Sequence, residues 1–181
     1  ILIYILNKYY GFEQRFLVND ILMNIKNLSP LFIPINKHGK QAIQAVQQIN
    51  ETFASDMQVL TFPAGLVSRR IEGIIEDLEW KKAFITRAIK YQRTIVPVFF
   101  SGRNSEFFYR LSNFRKKLGV KANLEMFYLV DELMRHKNST IKVSFGSSIP
   151  FNTFDSSKTH SQWAKWVKQK VYDLNNQSIR F

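Results

Sequence analysis

Residues 59–70, with the sequence VLTFPAGLVSRR, constrain the fold of this 181-residue chain more than any other stretch. Their apolar start predicts a short buried strand, which Pro63 ends because proline cannot donate a hydrogen bond to a sheet. Gly65 permits a positive φ or a close approach of the backbone. The stretch therefore predicts a strand that delivers a polar loop with two arginines. An anion-binding loop and an ordinary turn with solvated arginines are both compatible with these residues.

Alternating strand and helix patterns surround this stretch and predict the fold class. Strands are predicted at residues 15–19, 31–35, 58–62, 95–101 and 140–145, and helices at residues 1–10, 21–28, 40–53, 78–91, 104–118 and 158–174. Residues 122–134 fit either a helix or a strand, and Asp77 is in position to cap the helix that follows it. Gly11 is expected to end the first helix, and either Asn104 or Ser105 is expected to cap the helix over residues 104–118. Pro34 predicts an edge position or irregular pairing for its strand. The pattern predicts an α/β fold with a mixed, largely parallel sheet flanked by helices.

Two of the predicted helices carry an apolar stripe at helical spacing, which predicts that each stripe faces the core. The first stripe comprises Ala42, Ile43, Val46, Ile49 and Phe53, and the second comprises Phe107, Phe108, Leu111, Phe114 and Leu118. We therefore expect the aromatic residues of the second helix to be buried and unable to stack on exposed bases.

The composition is that of one well-buried domain. Apolar residues make up 45% of the chain and aromatic residues 14%, which is enough to fill a core. We expect residues 1–181 to form a single domain, with an amphipathic C-terminal helix over residues 158–177 packed on it. Since the chain contains no cysteine, disulfides, thiolate metal sites and a cysteine nucleophile are excluded.

The chain begins at Ile1, without an initiator methionine and inside the apolar run ILIYIL. This run is far shorter than the ~20 residues that cross a bilayer. We expect the sequence to be truncated at its N-terminus, so that residues 1–10 are the end of a helix that begins upstream.

Positive charge is concentrated between residues 81 and 121. The whole chain has a formal net charge of +12, and this band holds eleven lysines and arginines against Glu106 alone, a net charge of +10. Anionic lipid headgroups, nucleic acid and an acidic carrier protein are all suitable partners for such a band. An ordinary solvated basic face accounts for it equally well.

Three blocks of the sequence resemble, in order, blocks of the glycerolipid acyltransferase superfamily, which includes the 1-acylglycerol-3-phosphate acyltransferases. PLFIPINKHGK at 30–40 is similar to the second block, FPAGLVSRR at 62–70 to the third, and IVPVFF at 95–100 to the fourth. Residues 15–150 also resemble the branch that carries the label haemolysin and includes enzymes making ornithine- and glycine-type aminolipids. The resemblance implies a glycerolipid-acyltransferase-like fold.

The resemblance also implies which residues bind substrate. Phosphate-handling relatives usually keep a basic residue at the position of Lys37, and Arg69 and Arg70 lie at or just beyond the arginine and serine of the third block. The substrate-binding candidates are Asn36, Lys37, Pro63, Ala64, Gly65, Leu66, Ser68, Arg69 and Arg70. The co-substrate is expected to be an acyl thioester, and neither a cofactor nor a metal ion is expected.

The family's first block, His-x-x-x-x-Asp, does not occur in the chain. Its histidine is the general base in relatives, whereas His38, His136 and His160 each lack an aspartate five residues on. We expect His38 to cap or stack at a turn and the other two to be solvated. The catalytic pair is expected upstream of Ile1, and the 181 residues alone are expected to be inactive, because anion binding without a base does not activate a hydroxyl.

The third block departs from that of relatives that acylate glycerol phosphate. Ala64 stands where those relatives have glutamate, and Leu66 where they have threonine. The change removes polar groups that recognise hydroxyls, whereas Lys37, Arg69 and Arg70 keep cations that suit a phosphate or a carboxylate. This favours a lyso-aminolipid acceptor over lysophosphatidic acid.

The resemblance implies an O-acyltransferase that moves a fatty acyl chain from acyl carrier protein or acyl-CoA to the hydroxyl of a lyso-lipid in membrane lipid synthesis. With the basic band, it implies a peripheral protein on the cytoplasmic face of the inner membrane, in contact with anionic lipid. The alternative is a basic membrane-peripheral or nucleic-acid-binding module without catalysis. Nucleic acid is not expected as a partner, because the aromatic residues beside the arginines are predicted to be buried.

Overall fold

The computed structural model describes residues 2–11, 13–18, 23, 26–35 and 40–176. These residues form two compact units that alternate along the chain. Unit 1 lies within Ile1–Leu66, Glu79–Ile95 and Ser148–Trp166, and unit 2 lies within Val67–Leu78, Val96–Ser147 and Val167–Phe181. The single domain expected over residues 1–181 stays a prediction.

Unit 1 contains a three-stranded parallel sheet in its described part. β1 (Gln14–Val18) lies between β2 (Phe32–Pro34) and β3 (Gln58–Leu60), and both neighbours run parallel to it. Pro34 lacks an amide hydrogen, so the edge position of β2 suits it, as the sequence predicts. The parallel part of the predicted sheet is therefore confirmed.

The helices of unit 1 are α1 (Leu2–Tyr10), α2 (Lys40–Ala54) and α3 (Ala83–Lys90), together with the first part of α6 (His160–Asn176), which continues into unit 2. Gly11, with φ at +61°, ends α1 as predicted. Helix α2 connects β2 to β3, which flank β1 on opposite sides. Residues 40–60 thus complete the predicted strand–helix–strand unit.

Side chains alternate along β1 and divide the core of unit 1 between the two faces of the sheet. Phe16 and Val18 pack with Leu31 and Phe32. Phe16 lies opposite Phe32 in the register, and the two rings meet edge to face at 6.1 Å. The intervening Leu17 packs against a second cluster made by β2 and α2, which comprises Ile33, Ile49 and Phe53.

The buried face of α2 differs from the predicted one. Ile49 and Phe53 are buried as expected, but Ile43 and Val46 are exposed, and Ala45 is buried instead. Among the described side chains, the predicted stripe therefore keeps its core contact at Ile49 and Phe53 and loses it at Ile43 and Val46.

Helix α3 begins at Ala83, whereas the sequence pattern predicts that it begins at residue 78. Lys82 occupies the N-cap position and makes no capping hydrogen bond with its side chain. The expectation that Asp77 caps this helix is therefore wrong, and the Asp77 carboxylate accepts a hydrogen bond from Ser68 instead.

Unit 2 contains two antiparallel strand pairs in its described part. β4 (Arg69–Ile71) pairs with β5 (Ile74–Glu76), and β6 (Val98–Phe100) pairs with β7 (Val143–Phe145). The fold class is thus confirmed as mixed α/β, with a parallel sheet in unit 1 and antiparallel pairs in unit 2.

The other elements of unit 2 are helical. They are α4 (Glu106–Lys117), a 3-10 helix (Leu124–Tyr128) that leads directly into α5 (Leu129–Arg135), and the second part of α6. Ser105 caps α4 as predicted, because its hydroxyl accepts a hydrogen bond from the Phe108 amide at 3.3 Å. The ambiguous segment 122–134 is therefore mostly helical.

The buried face of α4 is also different from the predicted one. Phe108 is buried as expected, but the other buried residues are Tyr109, Ser112 and Arg115. Phe107, Phe114 and Leu118 are exposed. The expectation that the aromatic stripe of α4 is buried is wrong, and it no longer argues against a nucleic-acid partner.

The β4–β5 hairpin corrects the expectation that Arg69 and Arg70 lie on a loop. Both arginines belong to β4, and the connecting residues Glu72 and Gly73 have φ at +49° and +84°. Positive φ at both central residues is typical of a type I′ turn, whose twist matches that of paired strands.

This turn gives a test of the hairpin. Replacing Glu72 by asparagine should raise the free energy of unfolding by about 0.5–1 kcal/mol, because asparagine adopts a positive φ at lower cost than glutamate. Replacing Gly73 by alanine should lower it by about 1 kcal/mol, since the new Cβ is strained by φ alone and meets no atom within 4 Å. Urea denaturation measures both; a stabilising Gly73→Ala would contradict the turn.

Candidate functional site

The predicted turn at residues 62–65 is present in unit 1. The Gly65 amide donates to the Phe62 carbonyl at 2.9 Å, and Gly65 has φ at +69°, so a residue with a Cβ would be strained there. The Pro63 carbonyl accepts from the Lys81 amide at 3.0 Å. A Cβ added to Gly65 would lie 3.6 Å from Lys81 Nζ, so this ammonium group lies beside the turn. Lys81 thus adds a positive charge beside the turn. The sequence pattern identifies Lys81 only as part of the basic band.

Asn36, Lys37 and His38 lie outside the described residues. Their predicted contribution to the site therefore stays a prediction. Ala64 and Leu66 are half-buried next to Gly65 in unit 1. These two side chains bring no hydrogen-bonding group to the turn.

In unit 2, Ser68 and Asp77 join the two ends of the hairpin. Ser68 Oγ donates to Asp77 Oδ1 at 2.6 Å, the Asp77 amide donates to Tyr172 Oη at 2.8 Å, and the Asp77 carbonyl accepts from Lys168 Nζ at 2.6 Å. The Ser68 hydroxyl therefore already has a structural partner. The binding role predicted for Ser68 stays a prediction.

Arg69 is almost completely buried, with only 1% of its surface exposed. Its Nη2 donates to Glu125 Oε1 at 2.8 Å, and its Nη1 donates to the carbonyls of Val67 and Ser68 at 2.9 and 3.3 Å. The guanidinium carbon also lies 5.6 Å from the centroid of the Phe108 ring. Arg69 therefore has a full set of partners inside unit 2.

Glu125 is the common partner of two buried arginines. Arg115 Nε donates to Glu125 Oε2 at 2.8 Å, and Arg115 Nη2 donates to Oε1 at 3.1 Å. Arg115 also donates to the Val120 carbonyl at 2.7 Å and to Asn123 Oδ1 at 3.0 Å. This buried cluster, formed by Arg69, Arg115 and Glu125, ties β4, α4 and the 3-10 helix together.

The protonation of the buried cluster follows from these contacts. Burial raises the pKa of Glu125, but hydrogen bonds, including that from Arg115, and the charges of both arginines outweigh it and leave the pKa below its usual value. Burial lowers the pKa of Arg69, and the Glu125 charge opposes that effect. The lowered pKa keeps the Glu125 carboxylate ionised at neutral pH.

Arg70 has a different environment, because successive side chains of a strand point to opposite faces. Its Nη1 and Nη2 donate to the two carboxylate oxygens of Glu106 at 2.6 and 2.5 Å, in the bidentate geometry typical of arginine and carboxylate. The guanidinium carbon lies 5.3 Å from the centroid of the Tyr109 ring. The side chain is 26% exposed, and its buried Nε has no hydrogen-bond partner in the described part of the chain.

Of the two adjacent arginines, Arg70 is therefore the one in position to bind an anion from solution. It already holds a carboxylate in bidentate geometry, and its hydrogen bond lowers the pKa of Glu106. Arg69 serves the core of unit 2. The binding role predicted for each arginine stays a prediction, but the structure separates their chemistry.

Sequence reasoning missed the partners of these arginines. Glu125 and Glu106 are far from the third block in sequence, and neither belongs to a recognisable motif. One signal was available: Glu106 is the only acidic residue between residues 81 and 121. An isolated carboxylate in a basic band points to an ion pair.

The two described histidines are partly exposed, as expected, and each is also hydrogen-bonded to a neighbouring residue. His136 Nδ1 lies 3.0 Å from Ser139 Oγ, and its Nε2 lies 2.9 Å from the Arg103 carbonyl. His160 Nδ1 lies 2.9 Å from Thr86 Oγ1. Among the residues that the structure describes, no group of His, Asp and Glu side chains is arranged to hold a metal ion.

Comparison with known proteins assigns the family. A family model described as Acyltransferase matches residues 5–179, which is nearly the whole chain. The chain belongs to the acyltransferase family. This confirms the acyltransferase resemblance of the second, third and fourth blocks.

Two curated relatives of this acyltransferase are both named lyso-glycine lipid O-acyltransferase. The relative from Bacteroides thetaiotaomicron is 52% identical and that from Phocaeicola vulgatus 50% identical, each over 171 residues and 94% of the chain. The chain spans 63% and 61% of the length of these relatives. No solved structure matches the chain.

The buried cluster gives a prediction for stability. Replacing Glu125 by glutamine should lower the free energy of unfolding by about 3–5 kcal/mol at pH 7, because two buried guanidinium groups lose their counter-charge. In the wild type, this stabilisation is present above the ordinary glutamate pKa of about 4.3 and is lost as the pH falls through the lower folded-state pKa. Urea denaturation between pH 3 and pH 7 measures both effects.

The matched control is Glu106→Gln, which removes the carboxylate of the solvent-exposed ion pair between Arg70 and Glu106. We expect a much smaller loss of stability from this variant, because water solvates the remaining charge. Equal losses for Glu125→Gln and Glu106→Gln, or an unchanged pH dependence in Glu125→Gln, would contradict the role of Glu125.

Proposed function

We propose that this acyltransferase is an O-acyltransferase that transfers a fatty acyl chain from a thioester to the hydroxyl of a lyso-aminolipid, such as a lyso-glycine lipid. The observation that carries the proposal is the identity of 52% and 50%, over 94% of the chain, to two relatives named for that activity. The acceptor oxygen forms a bond to the thioester carbonyl carbon, and the carbon–sulfur bond breaks. The hydroxyl proton passes to a general base, and the thiol is released.

The donor in this proposal is acyl carrier protein or acyl-CoA, and the protein acts at the cytoplasmic face of the inner membrane. Both donors are anionic, which suits a chain with a net charge of +12. The exposed Lys81 and Lys82 of unit 1 are candidates for contact with such a donor. No residue among the 181 is assigned as the general base, because none of the three histidines has an aspartate at the family's spacing.

We assign recognition of the acceptor's anionic head to Arg70. A glycine head carries a carboxylate, and Arg70 already binds the Glu106 carboxylate through both of its terminal nitrogens. The Nε of Arg70 is buried, so the acceptor's carboxylate is assigned to the two terminal nitrogens that bind Glu106. In this proposal Glu106 holds the guanidinium in place until the acceptor's carboxylate exchanges with it.

The acceptor itself is testable by kinetics. With one donor, kcat/KM of the full-length protein on a lyso-glycine lipid should exceed that on lysophosphatidic acid by about tenfold or more, since glycerol hydroxyls without partners beside Ala64 and Leu66 would cost about 1–3 kcal/mol each. The double variant Ala64→Glu with Leu66→Thr should lower the ratio of the two kcat/KM values, because its new polar side chains can bind the glycerol hydroxyls. A wild-type preference for lysophosphatidic acid would overturn the proposal.

The role of Arg70 has a separate test. Arg70→Ala should raise KM for the lyso-glycine lipid about tenfold or more, because a charge-assisted hydrogen bond contributes about 1.5–3 kcal/mol. The measurement uses detergent-dispersed acceptor and compares the lyso-glycine lipid with its glycinamide analogue, which lacks the carboxylate. The Arg70→Ala effect should shrink on the analogue.

Glu106→Gln is the matched control for Arg70, because it keeps the arginine and weakens its internal partner. We expect KM for the lyso-glycine lipid to fall in this variant, since the competing carboxylate is gone. An equal rise of KM for both acceptors in Arg70→Ala, with no effect of Glu106→Gln, would mean that Arg70 has only a structural role.

A further inference from the structure

In the helical segment formed by the 3-10 helix and α5, polar side chains are buried and apolar side chains are exposed, the reverse of an ordinary surface helix. Its buried side chains are the carboxylates of Glu125 and Glu132. Glu132 accepts hydrogen bonds from the amide and hydroxyl of Ser105, at 2.5 and 2.6 Å. Its exposed side chains are apolar: Phe127 is 82% exposed, Val130 70% and Leu133 69%.

Helix α4 continues this exposed apolar surface. The Phe107 and Tyr128 rings meet edge to face at 5.1 Å, which joins the outer side of α4 to the 3-10 helix. Ten of the twenty large hydrophobic residues that are exposed in the described chain fall within residues 107–134. We call this surface the outer face; it comprises Phe107, Phe114, Leu118, Leu124, Phe127, Tyr128, Val130, Leu133 and Met134. Exposed apolar side chains concentrated in one part of a chain are typical of an interaction site.

Positive charge surrounds the outer face. The exposed basic residues of this part of unit 2 are Arg103, Arg110, Lys116, Lys117, Lys121, Arg135 and Lys137. Two exposed acidic residues, Glu106 and Asp131, lie among them, and Glu106 is paired with Arg70. Arg135 forms an ion pair with the buried Glu132 at 3.9 Å, so the positive border consists chiefly of the other six basic residues. An apolar surface with a basic border is complementary to an anionic bilayer, where apolar side chains enter the acyl boundary and lysines contact headgroups.

An open groove of about 620 Å³ lies on this surface of unit 2. Phe107, Tyr128 and Met134 form its apolar wall, and Asp131, Glu132 and Arg135 supply charged groups. A groove with both apolar and charged residues can contact lipid acyl chains and headgroups at the same time. Among the helices that the structure describes, none combines the length and the hydropathy that a membrane span requires.

We propose that the outer face is the surface by which the protein docks on anionic lipid bilayers. The proposal deepens the proposed function, because it names the surface that meets the membrane holding the lyso-lipid. Inverted amphipathicity is its physical basis: the carboxylates that hold unit 2 together occupy the inner side of the segment, and the apolar side chains are left for the lipid.

Cosedimentation of the full-length protein with vesicles tests the docking surface. Phe127→Ser, Val130→Ser and Leu133→Ser combined should weaken binding to phosphatidylglycerol vesicles at least tenfold at both low and high salt. Lys116→Gln and Lys117→Gln combined should weaken it about fivefold per lysine at low salt only, and should not change binding to phosphatidylcholine vesicles.

Matched controls come from exposed residues of unit 1. Ile43→Ser with Val46→Ser, and Lys26→Gln with Lys165→Gln, should leave binding within about twofold of the wild type. Val130→Trp should strengthen binding to both kinds of vesicle, because tryptophan is favoured at the interface between membrane and water. Wild-type binding by the triple serine variant, or equal losses in the unit 1 controls, would overturn the proposal.

Three further outcomes distinguish lipid docking from binding of a carrier protein and from the proposed catalytic function. If the triple serine variant loses association with acyl carrier protein and keeps vesicle binding, the outer face binds the carrier and not lipid. On detergent-dispersed lyso-glycine lipid, the triple serine variant should retain the wild-type kcat/KM. A wild type that binds vesicles but acylates no lyso-lipid would refute the proposed function and leave the docking surface supported.

Discussion

The buried pairing of Glu125 with Arg69 and Arg115 is the interaction on which unit 2 depends. One carboxylate serves guanidinium groups from β4 and α4, and it comes from the 3-10 helix that leads into α5. Arg69 belongs to this cluster, and side chains alternate along a strand. Arg70 therefore points to the opposite face of β4. The same interaction thus divides two adjacent arginines between the core and the candidate anion site.

The polar interior of unit 2 also accounts for its apolar exterior. Helix α4 buries Arg115, and the 3-10 helix and α5 bury two carboxylates, so these helices have fewer inward positions for aromatic residues. Phe107, Phe114 and Phe127 lie outside. Unit 1 has a conventional interior, with Phe16, Val18 and Phe32 packed around a parallel sheet. The proposed lipid contact follows from this contrast in composition between the two interiors.

Sequence periodicity predicted the elements of unit 1 well, because alternation along β1 and the proline in β2 reflect local packing. It placed Gly11 correctly at a helix end and limited the cap of α4 to Asn104 or Ser105, since capping depends on a few neighbouring residues. Periodicity failed for the faces of α2 and α4 because it assumes that apolar residues face inward. The pairing of Arg69 with Glu125 spans 56 positions and has no local signal, so it was beyond sequence reasoning.

The family follows from three sequence blocks and from the match to residues 5–179, whereas the choice of ligand contact depends on one arginine. A crystal structure of the full-length protein with a lyso-glycine lipid bound tests that contact most directly. We expect the lipid carboxylate within hydrogen-bond distance of the Arg70 guanidinium, with Glu106 displaced from it. A lipid carboxylate bound elsewhere, with the Arg70–Glu106 pair intact, would contradict the assignment.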